Sequence, residues 1–144
     1  METIMIVGSG AREHALARIY RESDLSRRVI VTPGNQGMTF DGIEIFPGTS
    51  LKDANSFLKA AKEINPCLVD VAQDDALAAG TVDLLSENGY LTFGPTKEAA
   101  QIESGKIWSR EKQVKYGIPT PEFEAFNRGD NVSAIDYASH LLRT

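Results

Sequence analysis

Residues 3–14 read Thr3-Ile4-Met5-Ile6-Val7-Gly8-Ser9-Gly10-Ala11-Arg12-Glu13-His14. An apolar run of strand length that ends on two glycines one residue apart leaves the backbone few choices. The run makes a buried strand, the glycines permit a tight turn, and the residues after them open a helix. Such a turn leaves the N–H groups from Gly8 to Ala11 uncovered at a helix N-terminus, where unpaired donors and a partial positive charge favour an anion. Gly8, Ser9, Gly10, Ala11 and Arg12 are therefore expected to seat a phosphate, with the planar guanidinium of Arg12 adding a cation.

A dinucleotide loop is the nearest alternative, and it fits only in part. Gly8 and Gly10 match the first two positions of the G-x-G-x-x-G pattern, but Glu13 stands where the third glycine brings helix and strand together. The ribose-binding acid is also missing, because Val29-Ile30-Val31-Thr32 runs into Pro33-Gly34-Asn35-Gln36-Gly37 with no carboxylate before Asp41. A net charge of -5 offers no basic stripe to displace counterions, which argues against nucleic acid as a partner. No apolar run reaches membrane length, and Met1-Glu2-Thr3 leads into a strand without a charged-then-apolar leader, so a cytoplasmic protein is expected. With His14 and His140 as the only histidines and Cys67 as the only cysteine, a zinc cluster is excluded, and no metal site is expected in this chain. Cys67 opens the apolar stretch Cys67-Leu68-Val69-Asp70-Val71 and reads as a buried strand residue.

Strands and helices then alternate along the chain. Ala15, Leu16, Ile19 and Tyr20 recur at helical spacing. Strands are expected over residues 28–32, 43–46, 67–71 and 90–93, from their β-branched or apolar content and the turn residues that bound them. Ser50-Leu51-Lys52-Asp53 reads as a capping box opening a helix through Phe57, Leu58, Ala61 and Ile64, which Asn65-Pro66 closes. One helix carries Leu77, Thr81, Leu84 and Leu85 and stops at Asn88-Gly89. Thr96 caps another through Ala99, Ala100, Ile102 and Glu103. The pattern predicts an α/β fold, a Rossmann-like parallel sheet with helices on both faces.

In such sheets ligands gather beyond the carboxyl ends of the strands. Four of those ends are rich in turn residues: Gly8-Ser9-Gly10, Pro33-Gly34-Asn35, Gln73-Asp74-Asp75 and Gly94-Pro95-Thr96. Their placement on one edge makes Glu13, His14, Pro33, Gly34, Asn35, Asp74, Gly94 and Pro95 candidates for substrate contact. After Thr96 the composition changes, and a domain boundary is expected between Ser104 and Pro119, the first domain taken as residues 1–104. Residues 105–144 hold a helix opening at Lys106-Ile107-Trp108 and ending at Tyr116-Gly117, a strand over 121–126, and a helix bearing Val132, Ile135, Ala138, Leu141 and Leu142. One strand and one helix cannot bury a core alone, so the chain is expected to stop inside its second domain.

With these stretches placed, the sequence resembles the phosphoribosylamine–glycine ligases (glycinamide ribonucleotide synthetases) of the ATP-grasp superfamily. The resemblance rests on Val7-Gly8-Ser9-Gly10-Ala11-Arg12-Glu13-His14-Ala15-Leu16-Ala17, Pro33-Gly34-Asn35-Gln36-Gly37, Phe93-Gly94-Pro95-Thr96-Lys97-Glu98-Ala99-Ala100-Gln101-Ile102-Glu103 and Tyr116-Gly117-Ile118-Pro119-Thr120. It implies a pre-ATP-grasp sheet domain followed by the start of an ATP-grasp domain, and the front third or so of a ligase of purine biosynthesis. The implied reaction uses ATP and magnesium to phosphorylate glycine, after which the amine of 5-phosphoribosylamine attacks the acyl phosphate. Lys106 is implied to contact ATP, the acidic magnesium ligands and the adenine pocket are implied to lie outside this chain, and the chain alone is expected to be inactive. Where the family has Val-Gly-Pro-Glu after the fourth strand, this chain has Val71-Ala72-Gln73-Asp74, which keeps the carboxylate one methylene shorter. A non-catalytic Rossmann-like module binding a nucleotide or phosphosugar is the alternative reading.

Overall fold

The computed structural model describes residues 2–23 and 28–143; Met1, the expected lead-in to the first strand, lies outside them. The chain divides into two compact units, Met1–Ser104 and Gly105–Thr144.

The first unit is an α/β domain. It runs β1 (Thr3–Gly8), α1 (Ala11–Ser23), β2 (Arg28–Pro33), a 3-10 helix (Gln36–Asp41), β3 (Glu44–Ile45), α2 (Ala54–Ile64), β4 (Leu68–Val71), α3 (Asp74–Ala78), α4 (Thr81–Glu87), β5 (Thr92–Phe93) and α5 (Gln101–Ser104). The five strands form one sheet in the order β3-β2-β1-β4-β5, and all four pairings are parallel. Strand order reverses beside β1: the chain builds outward through β2 and β3, then returns to the other side for β4 and β5.

Side-chain alternation along β1 explains why both faces are covered. Met5 and Val7 join Ile30, Phe57, Val69, Val71 and Leu85 in one core, while Ile4 and Ile6 join Ala17, Val29, Val31, Met38 and Ile43 in the other. A strand apolar at every position has no face to give to water. Phe57 on α2 is fully buried, and burial of a side chain of that size contributes about 1.5 to 3 kcal/mol.

Several expectations are corrected. The Ser50-Asp53 capping box does not form. Asp53 itself caps α2, accepting from the Asn55 N–H at 3.1 Å, and its own N–H donates to the Ser50 carbonyl at 2.9 Å, closing a turn that delays the helix to Ala54. The single helix expected around Leu77 to Leu85 is two, because Gly80 adopts the left-handed conformation (φ 84°) and breaks it. Cys67 is exposed. It sits just before β4 at the amino end of the sheet, where its Sγ lies 3.3 Å from the Thr3 carbonyl oxygen.

The second unit carries α6 (Lys106–Lys115) and α7 (Asn131–Leu141). No strand forms over 121–126, because a lone extended segment has no ladder to join. Arg110 instead ties this segment to α6, its Nη1 donating to Thr120 Oγ1 at 2.5 Å, and Phe126 packs on Tyr137 with ring centroids 5.8 Å apart. No residue of α7 is buried.

Candidate functional site

The carboxyl ends of β1, β2 and β4 meet at the point where strand order reverses. The loop after β2 is fastened to the loop after β1: the Gly34 N–H donates to the Gly8 carbonyl at 3.0 Å, and Asn35 Nδ2 donates to the Ser9 carbonyl at 2.7 Å. Asn35 Oδ1 in turn accepts from Gly37 N–H at 2.9 Å, opening the 3-10 helix. Across the other side, Arg12 Nη1 donates to the Ala72 carbonyl and to Asp74 Oδ1, each at 3.2 Å. Gly10, Ala11, Arg12, Glu13, Gln73 and Asp74 line a cavity of about 190 Å³ between the β1 and β4 loops. Asp74 also borders a second cavity of about 80 Å³, with Leu77, Pro95, Ala100 and Glu103 among its walls.

Glu13 occupies a different place from the one expected. It is 2 % exposed, and its Oε2 accepts from the Gly10 N–H at 2.7 Å. Gly10 is the residue before α1 and its carbonyl accepts from the His14 N–H at 3.1 Å, so Glu13 is the third helical residue reaching back to the cap N–H, half of a capping box. The expectation of uncovered N–H groups from Gly8 to Ala11 therefore fails at Gly10. Glu13 also explains Gly8. A Cβ there would fall 2.2 Å from Glu13 Cγ, at a φ of 149°. The close approach of strand and helix that a third glycine gives elsewhere is reached here by a glutamate lying across a glycine.

Other candidates divide. His14 turns aside, its Nε2 pairing with Asp41 Oδ2 at 2.7 Å. Gly94 is required by its surroundings, since a Cβ would lie 3.0 Å from the Val71 carbonyl oxygen. Pro33 ends β2 and Pro95 walls the smaller cavity. Lys106 opens α6 in the second unit, where it is exposed. Sequence reasoning left Gln73 and Glu103 out of the site; the signal for each was its place beside Asp74 or on the helix after Gly94-Pro95.

A buried carboxyl lies beneath the site. Asp70 on β4 is 4 % exposed and accepts from the Tyr20 hydroxyl at 2.9 Å. Burial raises its pKa above the ordinary carboxylate value; the Tyr20 hydrogen bond opposes this and the negative charge of Glu13 adds to it. The Tyr20 hydroxyl is pushed up to about 12, by burial first and then by its bond to Asp70.

The family described as "Phosphoribosylglycinamide synthetase, N domain" matches residues 2–103. The chain belongs to that family. A curated relative, the phosphoribosylamine–glycine ligase of Streptococcus suis, is 41% identical over 131 residues, which are 91% of this chain and 31% of that relative. The chain thus spans under a third of the length of the curated relative it matches. The crystal structure of phosphoribosylamine–glycine ligase from Thermotoga maritima is 29% identical with a TM-score of 0.59, covering 85% of this chain and 27% of that one. The biotin carboxylase domain of a single-chain bacterial carboxylase, 14% identical, has a TM-score of 0.67 over 97% of this chain and 35% of that chain. At that identity the second structure speaks for the fold alone. Among the described residues no helix is long and apolar enough to cross a membrane.

Proposed function

We propose that this chain supplies the N-terminal third of an ATP-dependent ligase that joins glycine to 5-phosphoribosylamine, and that its sheet edge holds phosphoribosylamine and the product made from it. The observation that carries this reading is the crevice between the β1 and β4 loops, spanned by the Arg12–Asp74 pair at the reversal of strand order. Ligands of open parallel sheets collect there. Arg12 offers a planar fork of donors, and Asp74 accepts hydrogen bonds from a substrate hydroxyl or amine. Gly34 and Asn35 contribute by holding the Gly8-Ser9 backbone still, so the crevice is formed before a ligand enters. Asp74 also borders the smaller cavity that Pro95 walls, and His14 orders the neighbouring 3-10 helix through Asp41.

In this reading ATP activates the glycine carboxylate, and Lys106 is the residue of this chain that contacts the nucleotide. The described residues contain no group of three or more His, Cys, Asp or Glu side chains able to hold a metal ion. In this reading the carboxylates that hold magnesium lie outside the described residues. Small molecules, in a cytoplasmic setting, are the partners proposed.

Calorimetric titration with glycinamide ribonucleotide tests the reading. Binding to the 144-residue chain is expected, with Asp74→Ala and Arg12→Ala each weakening it about tenfold to a hundredfold, the span of one lost charge-assisted hydrogen bond. Equal affinity in all three proteins would remove the crevice from the ligand's path.

A further inference from the structure

We infer that Glu13 is a fixed internal anion standing where a ligand phosphate sits in other glycine-loop folds, so that this loop rejects phosphate and admits the uncharged, hydroxyl-bearing part of a ligand. Three observations converge. The Gly10 N–H, one of the donors at the start of α1, is occupied by Glu13 Oε2 at 2.7 Å. The glutamate is locked there: it is 2 % exposed and lies against Gly8, at a distance no Cβ would permit. The charge of Arg12 is partly offset by Asp74, 3.2 Å away in an exposed ion pair.

Electrostatics point the same way. The positive end of α1 is offset by a carboxylate in its first turn. Asp74, on the cavity wall, adds negative charge beside it. A phosphate entering would displace the buried Glu13 carboxylate or sit beside it, and repulsion between like charges opposes either. A hydroxyl meets no such opposition, because Asp74 accepts from it and Arg12 donates to it. The glycine pattern thus keeps the shape of a phosphate loop while its third-glycine position has become an anion.

The inference deepens the proposed substrate reading by turning the phosphate of a phosphosugar away from α1, yet its test needs no substrate. Inorganic phosphate is titrated into the parent chain, Glu13→Gln and Glu13→Ala, with the amide resonances of residues 8–14 followed. Glu13→Gln keeps the oxygen that accepts from Gly10 and the bulk against Gly8 but removes the charge, so it preserves the fold even where Glu13→Ala does not. The parent is expected to show no saturable shift. Glu13→Gln, in which the Gly10 N–H stays occupied and only the charge is gone, is expected to bind phosphate through Ala11 and Arg12, and folded Glu13→Ala, which frees that N–H, through Gly10 as well, each at least about tenfold more tightly than the parent, and high salt should abolish the gain. Saturable phosphate binding at this loop in the parent, as tight as in Glu13→Gln, would overturn the inference. So would the absence of any gain in the variants. Either result leaves the binding of glycinamide ribonucleotide beside Asp74 to be judged by its own titration.

Discussion

Replacing Gly8 by alanine probes the contact that organises the loop. Two costs add. The backbone φ of 149° lies where side chains are rarely tolerated, a strain of about 1 to 3 kcal/mol. The new Cβ would also lie 2.2 Å from Cγ and 2.6 Å from Cδ of the buried Glu13, and overpacking of this kind costs about 1 to 3 kcal/mol more. The sum is about 2 to 6 kcal/mol, a large part of the stability of a small domain. Gly48 separates the two contributions, because its φ is 92° but nothing lies within 4 Å of an added Cβ, so Gly48→Ala carries only the backbone cost. Urea unfolding followed by far-ultraviolet circular dichroism, at unchanged m value, measures both. A double-mutant cycle sharpens the comparison: in a Glu13→Ala background the clash partner is gone, and Gly8→Ala is expected to cost about 1 to 3 kcal/mol less. Equal penalties for Gly8→Ala and Gly48→Ala, with no coupling to Glu13, would refute the packing argument.

Further outcomes are expected elsewhere. Asp70 holds its proton more tightly folded than unfolded, so its buried charge opposes folding above the raised value and ceases to do so as pH falls below 3.8. Asp70→Asn, which keeps an oxygen for Tyr20, should therefore be more stable than the parent at neutral pH, the difference in urea midpoint closing in acid. Tyr20 titrates near 12 folded against 10.0 unfolded, so the parent should lose stability as pH rises through that window; Tyr20→Phe should lack this alkaline loss and cost about 1 to 3 kcal/mol at neutral pH by leaving Asp70 without its donor. Amide hydrogen exchange should be faster beyond about residue 119 than in β1, β2 and β4, because α7 buries no residue; uniform protection would contradict this. Incubated with ATP, magnesium, glycine and freshly made phosphoribosylamine, the 144-residue chain should release no ADP above background.

The sheet was legible because its evidence is local. Runs such as Ile4 to Val7 and Val29 to Val31 are apolar at every position, and turn residues mark the strand ends. What escaped depended on partners distant in the chain or on competition between neighbours. Ser50 and Asp53 have the residue types of a capping box, but a turn between their backbones took precedence. Cys67 sits in an apolar stretch and yet lies at the open amino end of the sheet. The segment 121–126 has strand composition and no neighbour to pair with. For the site, the convergence of Arg12 with Asp74 followed from knowing that strand ends share an edge. The role of Glu13 did not, although its spacing from Gly10 carried the signal: a glutamate three residues after a helix cap is placed to bond that cap.

The central claim is that the crevice between the β1 and β4 loops binds the ligase product, and a chemical-shift map of the parent chain titrated with glycinamide ribonucleotide tests it most directly. The account predicts saturable perturbations concentrated on residues 9–12 and 72–75, smaller ones at Asn35 and Gly94, and loss of the set in Asp74→Ala. Perturbations confined to residues 106–143, or a map unchanged by Asp74→Ala, would contradict it.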